Sequence, residues 1–263
     1  MKYSKSIHGL TLVEILIGIV VSTIIMTAMY GTYSAVNSSY SQVTDRAKIS
    51  QSNRNVIGMI VRDIRMAGFK YYGDTIATNN QHIPILITRS TTNKCCDRID
   101  IVYGDIKYNP AANPKTTYIR YKVTYSGGVG NSPCTYGVYK AKVRWNSASS
   151  SWDNGDSDND DKTYERQLVV DCVEDLEFVP IDDNGKVIDP APTATNANKS
   201  KIYNIKVVDV LITSRSIQNF YKTSKSRIIE SLLANAQRKI NINDKYLRDT
   251  VTVSVNTRNL GLQ

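Results

Sequence analysis

The sequence predicts an α+β fold in which a long N-terminal α-helix packs against an antiparallel β-sheet globular domain. Three observations predict it. A run of thirty residues, Ile15–Thr44, holds no charged side chain. Helical spacing of apolar residues continues beyond that run, and no proline occurs between residues 10 and 69. After Gly68 the apolar pattern changes to period two, with turn signals between the runs, as antiparallel strands require.

The first element is the helix. Leu10–Tyr30 reads LTLVEILIGIVVSTIIMTAMY, and twenty-one such residues span about 30 Å as a helix, enough to cross the hydrocarbon core of a bilayer. A short basic stretch with Lys2 and Lys5 precedes it, which fits either a secretory signal peptide or a signal anchor. The apolar stretch is too long for a cleaved signal's core of roughly 7–15 residues, and no A-x-A-like site follows it. Glu14 stands inside the segment with apolar residues on both sides. A carboxylate at the bilayer centre costs at least ~2.5 kcal/mol. Its position alone admits a partnered carboxylate or one hydrated at the interface. Farther along, positions 36, 40, 43, 47, 50, 54, 57, 61 and 64 form a stripe that only Ser50 and Arg54 interrupt. One helix of about 55 residues, some 80 Å long, is expected to stop near Gly68.

Strands are expected at Ile83–Thr88, Ile99–Tyr103, Thr117–Tyr125, Tyr136–Trp145, Thr163–Val170, Val173–Pro180, Ile202–Thr213 and Thr250–Thr257. The segments Ser126–Asn131 and Asp182–Gly185 read as turns. Ser224–Lys239 reads as a short helix.

The charge balance is 33 Lys+Arg against 24 Asp+Glu, a net +9. It is segregated: residues 1–150 carry +11, 151–190 carry −10, 191–200 carry +1 and 201–263 carry +7. Two histidines, His8 and His82, are too few for a His-rich metal site or a His-relay enzyme. No GxxxxGKS or GxGxxG loop is present, and no base, nucleophile and orienting group fall into a recognisable set, so no enzyme and no cofactor is expected. The acidic loop Asp153, Asp156, Asp158, Asp160 and Asp161 has the one-three-five spacing of calcium loops. It lacks the Gly and Glu that an EF-hand needs at its sixth and twelfth positions, and it reads as a solvated hairpin tip with no metal. The basic C-terminal region with Tyr203, Tyr221 and Tyr246 raises single-strand binding. No nucleic-acid fold signature accompanies it, so no nucleic-acid partner is expected.

The segment His8-Gly9-Leu10-Thr11-Leu12-Val13-Glu14 resembles the class III signal of type IV prepilins, G-F-T-L-[IV]-E, with Leu10 in place of the usual Phe. The resemblance implies a type IV pilin-like fold, cleavage between Gly9 and Leu10 by prepilin peptidase, and N-methylation of Leu10. It also implies that Glu14 sets filament register by pairing with the N-terminal ammonium of a neighbouring subunit. Met59–Phe69, with its D-I-R-x-A-G-[YF] pattern, resembles the PilW-type minor pilins. So do Val169–Phe178 with the following Asp182–Gly185, Val207–Ser214 and Val251–Leu260.

The implied organisation is a leader at residues 1–9, a transmembrane and filament-core helix at 10–66, and a β-rich exported head at 67–263. The implied function is that of a structural minor pilin in pilus priming or tip assembly. Such a chain is a single-pass inner-membrane protein as a prepilin and then part of an extracellular filament, and its partners are other pilin subunits. The alternatives are a type II secretion pseudopilin, or a tip module for adhesion or DNA binding. In an exported head, Cys95, Cys96, Cys134 and Cys172 are expected to form disulfides. A vicinal bridge is uncommon, so Cys95 and Cys96 are expected to bond separately to Cys134 and Cys172.

Overall fold

In the computed structural model, residues 11–69, 82–90, 95–108, 110–111, 113, 115–153, 163–229, 231–233 and 240–260 are described. One helix, α1 (Leu12–Met66), runs unbroken for 55 residues. The chain forms two compact units, one ending at Ala47 and the other beginning at Lys48. The C-terminal part of α1 therefore belongs to the head.

Within the first unit the helix is apolar and bare, as Leu12 at 79%, Ile24 at 64% and Met29 at 68% exposure illustrate. Ser22, Thr27, Thr32 and Ser39 each donate a hydroxyl hydrogen bond to the carbonyl four residues back. That habit satisfies their polar groups inside an apolar run.

The head places the C-terminal part of α1 against two sheets. Strands β1 (Ile85–Thr88), β2 (Arg98–Tyr108), β3 (Thr116–Val129) and β4 (Tyr136–Asn146) pair in sequence. The short β5 (Ser151–Trp152) and β6 (Tyr164–Val170) both pair with β4, giving a six-stranded sheet. A second sheet has the order β11-β8-β7, built from β7 (Val173–Ile181), β8 (Val207–Arg215) and β11 (Arg248–Asn256). A five-residue helix, α2 (Lys199–Tyr203), precedes β8. A two-stranded hairpin joins β9 (Lys225–Ile229) to β10 (Ile240–Asp244). All of these pairings are antiparallel.

The core is made by Val56, Ile60 and Ile64 of α1, Ile99 and Ile101 of β2, Tyr121 and Tyr125 of β3, and Leu176, Phe178, Val210 and Ile212 of the second sheet. Along β3 the buried positions alternate, from Ile119 to Tyr125, so that Lys122, Thr124 and Ser126 face away from the core. Asp97, fully buried, joins the sheets: its carboxylate accepts the Ser90 N–H at 2.9 Å and the Phe178 N–H of β7 at 3.1 Å.

Several expectations need correction. The buried residues of α1 are Asn53, Val56, Ile57, Ile60, Asp63 and Ile64, of which only Ile57 and Ile64 belong to the expected stripe, and Val36, Tyr40 and Val43 of that stripe are exposed. Ser126–Val129 belong to β3, and the turn lies beyond them. Gly127 and Gly128 serve close packing there: a Cβ on Gly127 would come within 2.7 Å of Cys96 Cβ, and one on Gly128 within 2.7 Å of the Tyr139 ring. The expected helix at Ser224–Lys239 opens instead as β9, paired with β10. The expected strand start at Ile202 lies in α2, and β8 begins at Val207. Two larger sheets stand where one was expected, because β7 turns away from β6 at Asp171-Cys172 and pairs with β8.

Candidate functional site

The sequence places chemistry at the start of α1, where Leu12 is the first helical residue. Gly9 and Leu10 lie outside the described residues. Thr11 is the N-cap and Glu14 the third helical residue, and the two form a reciprocal cap. The Thr11 N–H and hydroxyl each donate to Glu14 Oε2 at 2.9 Å, and the Glu14 N–H donates to Thr11 Oγ1 at 3.3 Å. This is the capping box, and its negative end also faces the positive end of the helix dipole. The T-x-x-E spacing of the cap stands in the sequence, where Glu14 reads as a carboxylate in an apolar run and as part of the prepilin-like signal rather than as a capping residue. Beyond this cap stands a helix long and apolar enough, by length and composition, to cross a membrane.

A polar cluster, which the sequence reading missed, joins α1 to the sheets. The buried Asp63 carboxylate accepts the Tyr125 hydroxyl at 2.5 Å and pairs with Lys140 Nζ at 2.8 Å. Burial, and then the Asp63 charge, raises the Tyr125 hydroxyl above its ordinary value and keeps it a donor. Nearly three turns of helix earlier, the wholly buried Asn53 accepts the Ser214 hydroxyl at 2.6 Å and donates to the Asp249 carbonyl at 3.2 Å. One polar residue thus ties α1 to each sheet. Such contacts specify register, because a slip strands a buried polar group. At the helix end Gly68 takes φ +69, and its N–H donates to the Val102 carbonyl at 2.9 Å. The D-I-R-x-A-G pattern therefore holds an anchor, a buried small residue (Ala67) and a left-handed stop.

All four cysteines are bonded, but not as expected. Cys134 bonds Cys172, with Cα atoms 4.6 Å apart, and Cys95 bonds Cys96. The reason is topological. Cys134 lies in the β3–β4 turn and Cys172 in the β6–β7 turn, and β4 pairs with both β3 and β6, which brings the two turns to one end. Asp171 Oδ2 accepts the Asn131 N–H there at 3.0 Å. Cys95 and Cys96 lie elsewhere, just before β2, with Cys96 against Gly127.

The acidic loop lies outside the described residues except for Asp153, whose N–H donates to the Arg144 carbonyl at 2.9 Å. Among the described residues no three His, Cys, Asp or Glu side chains converge on a metal position. Of the tyrosines in the basic region, Tyr221 has Lys225 4.3 Å and Arg227 4.8 Å from its ring centre. Tyr246 has Arg215 at 4.1 Å, and Arg215 and Arg248 both pair with Glu174.

The prokaryotic N-terminal methylation motif matches residues 4–30. No curated protein sequence matches the chain. Among solved structures, a type IV-like pilin from Thermus thermophilus is similar to 80% of this chain and 96% of its own, with a TM-score of 0.51 and 10% sequence identity. At that identity the likeness is one of fold. The chain thus carries a prokaryotic N-terminal methylation motif at the head of α1 and, behind it, a type IV pilin-like fold.

Proposed function

We propose that the chain is a minor pilin of the PilW type, a structural subunit of a type IV pilus that acts in priming or tip assembly. The observation that carries this reading is the apolar stretch of α1 from Leu12 to Val43, exposed along its length and headed by Glu14. A surface of that kind needs lipid or other helices around it. As a prepilin the chain is a single-pass inner-membrane protein. Prepilin peptidase cleaves between Gly9 and Leu10, Leu10 is N-methylated, and the helix then leaves the membrane for the core of an extracellular filament.

Glu14 has two roles in this sequence of events. Before assembly its carboxylate is satisfied by Thr11, which reduces the cost of holding it beside an apolar run. In the filament it pairs with the N-terminal ammonium of a neighbouring subunit and so selects one axial register. The D-I-R-x-A-G segment supports the PilW-type assignment, since its residues hold α1 to the head.

Intact mass of the membrane-extracted protein, with and without prepilin peptidase, tests the processing step, and the mature species is expected to begin at Leu10. A different N-terminus would overturn the reading. Glu14→Ala is expected to be processed normally yet to be absent from sheared filaments. Unchanged incorporation would remove the register role.

A further inference from the structure

Strand β11 lies at the edge of the second sheet and pairs with β8 on one side only. We propose that its free edge pairs antiparallel with β11 of a second copy of this chain, with Thr252 of one copy opposite Thr252 of the other. The contact uses residues of the head alone and is independent of the role proposed for α1.

The ladder fixes the direction of the main-chain groups. Along an antiparallel strand, residues that bond the partner alternate with residues that face the other way. The Ser216 N–H donates to the Leu247 carbonyl at 2.8 Å and the Thr257 N–H to the Lys206 carbonyl at 2.9 Å, both in the register of β8 with β11. Arg215, opposite Arg248, instead sends its N–H to the Cys172 carbonyl on the β7 side. Val251, Val253 and Val255 therefore face β8, and Thr250, Thr252 and Ser254 turn their N–H and C=O groups to the free edge. Among the described residues none bonds those groups there. The side chains of all three are exposed.

The other described edges are guarded. Strands β1 and β5 are only four and two residues long. Strand β6 carries Glu165 and Arg166, and two register shifts break its pairing with β4. The outer side of β7 is taken up by Asp97, which bonds the Leu176 carbonyl and the Phe178 N–H, and by Ile188, which bonds the Pro180 carbonyl. The hairpin bears Lys225 and Arg227 on β9 and Asp244 on β10. Short length, charge, bulges and cover are the means by which a sheet keeps other strands away. Strand β11 has none of them: its nine residues keep one register, with no proline and no charge from Thr250 to Asn256.

The edge also matches itself. With Thr252 opposite Thr252, Thr250 stands opposite Ser254 on the outer face, and Val251 opposite Val253 on the inner one. Hydroxyl meets hydroxyl and valine meets valine, and both kinds of cross-strand pair are favourable. The charges at the start of β11 meet none, since Arg248 faces Asn256 and Asp249 faces Val255. About six main-chain hydrogen bonds form, and two three-stranded sheets become one of six. An uncharged strand offers nothing to select an acidic or a basic peptide, whereas a second copy fits it on both faces.

The test follows amide hydrogen exchange, residue by residue, in the full chain in detergent micelles over a range of protein concentration. The Thr250, Thr252 and Ser254 amides are expected to exchange freely in dilute protein and about tenfold more slowly in concentrated protein, whereas Val251, Val253 and Val255 stay slow throughout. Thr252→Pro removes an N–H that β8 does not use. It is expected to abolish the concentration dependence with thermal unfolding little changed. Thr252→Lys and Thr252→Glu keep the backbone and set like charges face to face, and each is expected to weaken pairing about fivefold. An equal mixture of the two is expected to restore it, which separates paired heads from helices that merely share a micelle. The proposal is overturned if the three amides exchange at one rate at every concentration, fast or slow. It is also overturned if Thr252→Pro leaves the dependence intact, or if the mixed charge variants pair no better than either alone.

Discussion

Asp63 stands where α1 meets the six-stranded sheet, and its removal leaves the Lys140 ammonium and the Tyr125 hydroxyl in the interior with their shared acceptor gone. Asp63→Ala is therefore expected to destabilise the protein by about 3–5 kcal/mol, and Tyr125→Phe by about 1 kcal/mol. Denaturant unfolding of the purified protein measures both, and a loss below about 1 kcal/mol for Asp63→Ala would show that the pair contributes little. Acid sensitivity is argued at the same scale. Asp244 accepts from Arg248 at 2.7 and 2.5 Å, which holds its carboxyl below the usual range. Its stabilising contribution is complete above the unfolded value of about 4 and is lost as pH falls through the lower folded value. Asp244→Asn is expected to lower stability at neutral pH and to flatten the acid limb of the stability curve; limbs of equal slope would exclude Asp244 from the acid response. Neither Asp63 nor Asp244 was legible as a partnered residue in the sequence. Each partner is chosen by strand pairing or a turn, and a carboxylate on a helix face reads as solvated until the opposite surface is known.

Elements were far more legible. The charge-free run and the absence of proline fix α1, and period-two runs locate eight of the strands because side-chain alternation is local. Glycine was the ambiguous residue. Gly68 is a helix stop, as read, and it needs its glycine twice over, for φ +69 and because a Cβ would come within 3.0 Å of Leu260 and 3.3 Å of Pro84. Gly68→Ala is expected to cost at least about 1–2 kcal/mol, read as a lower urea midpoint at unchanged slope; an unaltered midpoint would contradict the fit. Gly127 and Gly128 were read as a turn and are strand residues, since close approach and chain reversal ask for the same absent side chain. The Ser224–Lys239 segment misled for another reason. The antiparallel pairing of Lys225–Ile229 with Ile240–Asp244 overrides weak local preference.

For the whole molecule, the disulfides show the limit of sequence reasoning most directly. Cys134–Cys172 spans 38 residues and is expected to stabilise the head by about 4 kcal/mol in the loop-closure account, whereas Cys95–Cys96 closes no loop and adds little by that route. Peptide mapping without reduction is expected to find Cys95 and Cys96 bonded to each other within one fragment, and Cys134→Ser with Cys172→Ser to lower the melting temperature far more than the matching change at 95 and 96. Equal effects, or fragments linking 95 or 96 to 134 or 172, would overturn the pairing. By itself the sequence determined the signal-like start, the long apolar helix and the alternating strands, all of which depend on neighbours within a few residues. Only the tertiary structure decided the division into two larger sheets, the cysteine pairing, and the anchors at Asn53 and Asp63. Those joined residues lie far apart along the chain, and only the strand order brings them within reach.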